Sequence, residues 1–439
     1  MMDRKRRQIT ELQRQVEALE KDQQYLRSLG PLTRLSVIDW KFTPTTSTTV
    51  DGEVLERKPL RARLRDRLNE NGEDLEQTYH TVRDTYLNPN AEGKIGLDPN
   101  LFNDFGRAFE GATRYSHLQR VAQFGFNPTN NTTQGGVVTS LALDPHEQLL
   151  AVAGVSKTIK LYDFDSIYKE PSSELFAMLE LPCGAKLSNL SWHPSDRRFL
   201  ASADYDGNIV VHDVETTGKR VWDVHYNRVD HNLIASGGDD GKVIIWHTLS
   251  DRSTMKINFQ YAVCSVQWSP DNANLIACAI SDSHVHVYDI RNANTRLALL
   301  KSHGKACSYV RFMDSNRLVS AATDSTLRLW DTKTWLCKKV FCGHKNERNF
   351  VGLAASANGY MACGSETNEL FVYHSMIGQP VLRQSMQSGI RSQSRFTADG
   401  DVEKADSSNE FVSAVLWKPN SNIVLAANSE GLVHVYRAD

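Results

Sequence analysis

The 439 residues predict an all-β fold, a closed seven-bladed β-propeller of four-stranded blades preceded by an N-terminal helical coiled-coil region. Two series of segments and the interval between them carry that prediction. The first series is an apolar run ending in an aromatic residue or histidine, usually followed by Asp: IKLYDF (159–164), IVVHDV (209–214), VIIWHT (243–248), VHVYDI (285–290), LRLWDT (327–332), LFVYHS (370–375) and VHVYRA (433–438). Measured at Tyr162, His212, Trp246, Tyr288, Trp330, Tyr373 and Tyr436, the steps are 50, 34, 42, 42, 43 and 63 residues. The second series supplies a candidate innermost strand ahead of each: VVTSLAL at 137, LSNLSWH at 187, VWDVHY at 221, CSVQWS at 264, CSYVRF at 307, VGLAA at 351 and VSAVLW at 412. A period near forty with this ending is that of WD40 repeats. A four-stranded blade cannot bury both faces alone, so stacking in a ring supplies the core.

Ahead of the ring, residues 1–30 hold Ile9, Leu12, Val16, Leu19 and Leu26 at alternating steps of three and four, an a/d seam ended by Gly30-Pro31. A helix of this length is marginal alone, which leaves two readings: a dimerising coiled coil, or an amphipathic helix laid on its own protein. The run Arg4-Lys5-Arg6-Arg7 reads equally as a nuclear import signal or as a solvated helix start. Residues 31–112 are expected to be a linker with helical segments. Its Thr-rich stretch TPTTSTTVDGEV is followed by helical spacing at 60–87 and again around Leu101, Phe102, Phe105 and Phe109.

The ring is assigned to residues 113–439. Asp206-Gly207, Asp239-Asp240-Gly241, Asp282 and Asp324 stand just before third strands, where a carboxylate pins the turn, with His303 or His344 upstream. The 63-residue last step reflects an insertion over 376–410, rich in Ser, Gln and Asp, expected to be a disordered loop. The 34-residue step is too short for the outer strand of the second blade and its loop. It predicts an unpaired edge and bears directly on where Arg220 and Trp222 sit.

Composition narrows the function. A formal net charge of -2 gives no whole-chain argument for nucleic acid or membrane. The start MMDRKRRQ lacks the apolar core of a signal peptide, and no run of eighteen apolar residues occurs, so a soluble intracellular protein is expected. The seven Cys lie in or beside expected strands, with no CxxC and no ligand-spaced His/Cys set, so neither a metal site nor a cofactor is expected. No nucleophile–base pairing, phosphate loop or HExxH is present, and the ring itself gives no reason to expect an enzyme. Function falls to the surface. Residues just ahead of the innermost strands collect on one face around the channel, and there the chain places Lys186, Arg220, Trp222, Lys305, Glu347 and Phe350. Aromatics and Arg concentrate binding energy and Lys steers, a combination suited to an extended acidic peptide with an apolar anchor. The bland alternative is ordinary loop charge and core aromatics.

GVSKTIKLYDF (154–164), LSNLSWH (187–193), ASADYDG (201–207), AATDSTLRLWD (321–331), GHKNERNFVGL (343–353) and ACGSETNELFVYH (362–374) strongly resemble the propeller of the constitutive photomorphogenesis E3 ubiquitin-protein ligase family. The similarity runs over residues 113–439. It implies a substrate receptor binding acidic Val-Pro-type degrons on the propeller top face for ubiquitination and degradation of their bearers, transcription factors among them. By motif it carries over Lys186, Tyr205, Arg220, Trp222, Lys305, Glu347 and Phe350 as peptide-binding residues. Trp222 and Phe350 would take the Val-Pro pair, and the Lys and Arg side chains its acidic neighbours. YDIR at 288–291 resembles the D-x-R signature for docking on the cullin-four adaptor, with Asp289 and Arg291 as contacts. The resemblance also implies nuclear localisation with cytoplasmic exchange.

Family ligases begin with a RING, a Cys/His zinc module, whereas no Cys precedes Cys183 here. The expectation is a non-catalytic receptor subunit working with a coiled-coil partner, itself or a RING-bearing homologue, or else a truncated product. The alternative function is a WD40 scaffold or regulator that joins a ligase complex through its coiled coil.

Overall fold

The computed structural model describes residues 117–125, 136–169, 177–196, 199–211, 221–250, 253–293, 295–301, 303–386 and 410–439, with residues 72, 75–80, 106–107, 109–111 and 113–115 ahead of them. The expected coiled-coil seam Ile9, Leu12, Val16, Leu19 and Leu26 lies outside the described residues, as do His212 and Arg220. The chain divides into two compact units, Met1–Thr113 and Arg114–Asp439. In the first, residues 75–80 are helical, as are 106–107, 109–111 and 113.

The second unit is the propeller. Blade one is Val138–Leu143, Leu149–Gly154, Thr158–Asp163 and Leu179–Pro182. Blade three is Val221–Tyr226, Leu233–Gly238, Lys242–His247 and Ser253–Asn258. Blade four is Val263–Trp268, Leu275–Ile280, His284–Asp289 and Arg296–Lys301. Blade five is Cys307–Asp314, Arg317–Ala322, Thr326–Asp331 and Cys337–Phe341. Blade six is Leu353–Ala355, Tyr360–Gly364, Glu369–His374 and Ile377–Ser385. Every strand pair is antiparallel, so each first strand runs from one face of the ring to the other and each third strand runs the same way.

Blade seven closes the ring. Val412–Trp417, Ile423–Asn428 and Leu432–Ala438 take as their fourth strand Leu118–Gly125, from the start of the unit. Pairing runs from Leu118 opposite Ala438 to Gly125 opposite Leu432, with a bulge at Arg120/Ala122. Phe124 is buried against Tyr162 of blade one, ring centroids 4.9 Å apart. This closing role is absent from the repeat pattern, because the segment stands about 310 residues from its partner.

Blade two is the exception. Its sheet is Leu187–Trp192, Leu200–Asp204 and Ile209–Val211, and among the described residues no fourth strand joins it. The unpaired edge expected from the short step turns on residues 212–220, which lie outside the described residues. The first step, 50 residues, instead holds a short helix, α1 (Phe164–Lys169), after the third strand. One boundary is corrected: the insertion expected from 376 begins later, because Ile377–Ser385 is the fourth strand of blade six. Gln and Ser mask its period, yet Ile377, Val381 and Leu382 are buried.

The core lies between blades. Leu327, Leu329 and Phe341 of blade five pack with Val351, Met361, Phe371 and Tyr373 of blade six. Ala277, Val285 and Leu300 of blade four likewise meet Val310, Leu318 and Trp330 of blade five. Each fully buried aliphatic side chain of this kind stabilises by about 2 kcal/mol, which is why isolated blades are not expected to stand alone.

Polar side chains then tie neighbouring first strands into a belt. Ser140 Oγ donates to Asn189 Oδ1 at 2.8 Å, and Asn189 Nδ2 donates to the buried Asp223. Asp223 Oδ2 also accepts from Ser265 Oγ at 2.6 Å and Val266 N at 2.9 Å. Arg311 Nη1 donates to Ser265 Oγ at 3.0 Å and lies 3.4 Å from Asp223. Ser413 Oγ donates to Val138 O at 2.5 Å across the closure. The belt surrounds a channel of about 690 Å³ lined by first-strand residues of all seven blades.

Turn carboxylates are distributed less uniformly than the sequence suggested. Asp324 accepts from His303 Nδ1 (3.1 Å), Gly304 N (2.9 Å) and Thr326 N (3.1 Å), while Ser320 Oγ joins His303 Nε2 to Trp330 Nε1. In blade two the accepting residue is Asp204, bonded by Asp206 N and Asn208 N, so the expected pin at Asp206 is displaced by two residues. Gly207 is still needed at φ +94° to turn the chain. His344 bonds Tyr373 Oη at 2.9 Å instead of an Asp.

Candidate functional site

The face onto which the first strands open carries six of the seven expected peptide-site residues, Arg220 lying outside the described residues. Lys186 is exposed just before Leu187–Trp192, and its carbonyl accepts from Tyr205 N at 2.8 Å. Tyr205 sits in the turn between Leu200–Asp204 and Ile209–Val211 of the same blade. Trp222 belongs to the first strand of blade three, and Phe350 lies just before the first strand of blade six. Trp222 is nevertheless 5.0 Å from Phe350, edge to face at 83°, and 5.9 Å from Tyr205. Blades three and six are not neighbours, so these rings meet over the mouth of the channel.

The shortened second blade therefore leaves Trp222 on the shared face. Pairing of Gly238 with Val221 sets the strand's start, and a bulge at Gly237/Gly238 absorbs the abrupt arrival of the chain. Trp222 Nε1 donates to Asp239 Oδ1 at 2.5 Å, which orients the indole. Asp239, assigned to the turn from sequence, thus serves Trp222, while Asp240 accepts Lys242 N at 3.1 Å and holds the turn.

Phe350 has a support that sequence reasoning missed. Glu366, in the turn between the second and third strands of blade six, accepts from Arg348 N at 2.6 Å and Asn349 N at 2.7 Å. Burial pushes its carboxyl up, but these backbone N–H groups outweigh that and hold it below the ordinary glutamate value. The GSETNE string carries the family resemblance, but nothing in its spacing marks Glu366 as a loop anchor.

Charge surrounds the rings. Lys186 and Lys305 are exposed, and among the described residues neither ammonium is ion-paired. Glu347 is exposed and 4.0 Å from Lys345. Seven expected residues thus divide as follows: Tyr205, Trp222 and Phe350 touch in a chain, Lys186, Lys305 and Glu347 stand on the same face, and Arg220 lies outside the described residues.

Asp289 and Arg291 lie on the opposite face, since His284–Asp289 is a third strand and ends where first strands end. The Arg291 backbone N donates to Asp289 Oδ1 at 3.0 Å, and its side chain folds back through three more bonds, Nε to Oδ1 at 3.0 Å, Nε to Oδ2 at 3.2 Å and Nη2 to Oδ2 at 2.6 Å. These bonds from the guanidinium lower the Asp289 carboxyl below its ordinary value. Four of the seven thiols, Cys264, Cys278, Cys307 and Cys363, are buried, and burial pushes Cys264 up to about 12, while Cys183 and Cys337 are half-buried and Cys342 is exposed. Among the described residues no group of three His, Cys, Asp or Glu is placed to hold a metal ion.

A seven-bladed ring with an aromatic cluster over its channel mouth and cations around it defines a WD40 propeller. Comparison with known proteins places it more closely. The WD domain, G-beta repeat family matches residues 126–163, and the nucleolar protein 10-like N-terminal domain family matches residues 211–379. The chain is 39% identical over 345 residues to the E3 ubiquitin-protein ligase COP1 of Arabidopsis thaliana, covering 76% of this chain and 49% of that protein. It is 31% identical to protein SPA1-RELATED 4 of Arabidopsis thaliana, over 93% of this chain and 51% of that protein. WD repeat-containing protein RUP2 of the same plant is 32% identical, over 68% of this chain and 87% of that protein. The chain belongs to the COP1-like family of WD40-repeat proteins. It spans about half the length of the ligase relatives it matches.

Proposed function

We propose that this chain is a substrate-recognition component of an E3 ubiquitin ligase complex. Its propeller face receives an extended acidic peptide of the Val-Pro type and presents the bearer for ubiquitination. The contact of Trp222 with both Phe350 and Tyr205, flanked by the exposed Lys186 and Lys305, carries this reading. The rings form an apolar seat whose polar edge, the indole N–H, is already satisfied by Asp239. An apolar anchor therefore docks there without orphaning a donor. The two ammonium groups steer and hold the acidic residues. Partners in this proposal are degron-bearing proteins, and a ligase subunit of the COP1 or SPA type. The reading includes cullin-adaptor docking by Asp289 and Arg291 and nuclear residence with cytoplasmic exchange.

Titration with a labelled acidic Val-Pro peptide tests the site. Phe350→Ala is expected to weaken binding by about 2 kcal/mol, roughly thirtyfold in Kd, as for a buried aromatic anchor. Lys305→Glu should slow association and steepen the loss at low salt. Absence of binding, or affinity indifferent to both substitutions, would remove the degron claim and leave the scaffold reading.

A further inference from the structure

Between Trp222 on blade three and Lys305 on blade five, the same face carries one more aromatic side chain. Tyr261 stands two residues ahead of Val263–Trp268, the first strand of blade four, just as Lys305 stands two ahead of Cys307–Asp314. Blade four packs against blades three and five, so in ring order Tyr261 falls between those two residues. Its ring is 55% exposed, and among the described residues it is the one large apolar side chain this open in a loop leading into a first strand.

A lone exposed aromatic is ordinary on a protein surface. This one differs in the backbone beneath it, which is fixed from both sides. Phe259 N donates to Gly241 O at 2.6 Å, and Ser281 N donates to Ala262 O at 3.0 Å. Gly241, at φ +70°, lies so close that a Cβ there would meet Phe259 O at 2.5 Å and Tyr261 O at 3.1 Å. Glycine is what lets the two turns approach. The Phe259 ring is held 5.1 Å from His286 and 5.8 Å from Tyr288. Gly241 also ends the turn whose Asp239 accepts the Trp222 indole N–H, so one turn fixes the Trp222 ring and the backbone that presents Tyr261. A tyrosine on a fixed backbone offers contact area at little entropic cost, because its two side-chain torsions alone remain to be ordered.

We infer that Tyr261 is a specificity-determining contact of the proposed peptide site, receiving an apolar side chain from the spacer that joins the peptide's Val-Pro pair to its acidic residues. The inference rests on the degron reading of this face. With the Val-Pro pair on Trp222 and Phe350 and a carboxylate at Lys305, the intervening residues pass blade four, where Tyr261 is the exposed apolar surface. The ring face takes the side chain, and the phenol stays in water.

Two labelled acidic Val-Pro peptides that differ only in the spacer, Leu in one and Gly in the other, test this. The full chain should bind the Leu peptide about tenfold more tightly, the gain from partly burying one leucine side chain. Tyr261→Ala should bring the two affinities within about twofold by weakening the Leu peptide alone, with an unchanged melting temperature, and Tyr261→Phe should keep the preference. Saturation with the Leu peptide should also protect Tyr261 of the unaltered chain from hydroxyl-radical labelling, a readout that needs no variant. Equal affinity of the unaltered chain for both peptides, a preference that survives Tyr261→Ala, or unchanged labelling at saturation would overturn the inference and leave the degron site standing. Loss of the preference in Tyr261→Phe would assign it to the hydroxyl and overturn the ring contact equally. Failure of the unaltered chain to bind either peptide removes the degron reading, and this inference with it.

Discussion

Asp324 shows how a single residue can be legible before the fold is known. Its place ahead of a third strand, with His303 upstream, was enough to expect a pinned turn, and His303, Gly304 and Thr326 all bond it. Burial pushes its carboxyl up, but these bonds prevail and hold it well below the ordinary aspartate value. Asp324→Ala removes the carboxylate that His303 Nδ1, Gly304 N and Thr326 N share and should cost about 3 kcal/mol of unfolding free energy; denaturant titration measures it. Asp324→Asn, which can still accept, should lose less. Asp204 and Asp239 were less legible, because a two-residue offset in a turn changes which oxygen meets which N–H without changing the sequence pattern. Trp222 and Phe350 were each nominated from strand position. Their mutual contact was not, since nothing local brings blades three and six together.

At the scale of elements, the third strands were visible because alternation and a terminal aromatic are properties of six consecutive residues. Leu118–Gly125 was hidden because its meaning is its partner, Leu432–Ala438. It contributes Phe124 to the cluster formed with Val138, Leu150, Tyr162 and Val433, so closure and packing depend on one strand. Phe124→Ala should destabilise by about 3–4 kcal/mol, read as a lower denaturant midpoint. Removing residues 114–125 should expose the edge of Leu432–Ala438 and cause self-association, measurable by light scattering. A monomer with unchanged stability after that deletion would mean the ring closes another way.

The whole molecule carries a pH dependence that no blade has alone. His344, His374 and His434 are buried in blades six and seven, and burial lowers each to about 4. Arg317, Lys339 and Arg114 lower His374 further, and Arg120 does the same at His434, while Asp324 opposes the shift at His344. Above the unfolded histidine value near 6.5 both states are neutral and stability is full. As pH falls from there toward 4, the unfolded chain binds protons that the folded one refuses, so stability is lost. Each histidine accounts for about 2–3 kcal/mol, together comparable with the total stability of a domain. Denaturant midpoints should fall steeply between pH 6.5 and 4, and less steeply in His434→Gln; a flat profile would refute this. Below that range the depressed Asp324 adds loss in the same direction.

Sequence alone determined the number of blades, their polarity and the face that Lys186, Tyr205, Trp222, Lys305, Glu347 and Phe350 share, because these follow from periods and offsets within one repeat. Tertiary structure decided how the ring closes, which rings touch over the channel and which turn oxygen serves which donor. Those depend on distances between residues far apart in the chain, and a repeat pattern holds no term for them.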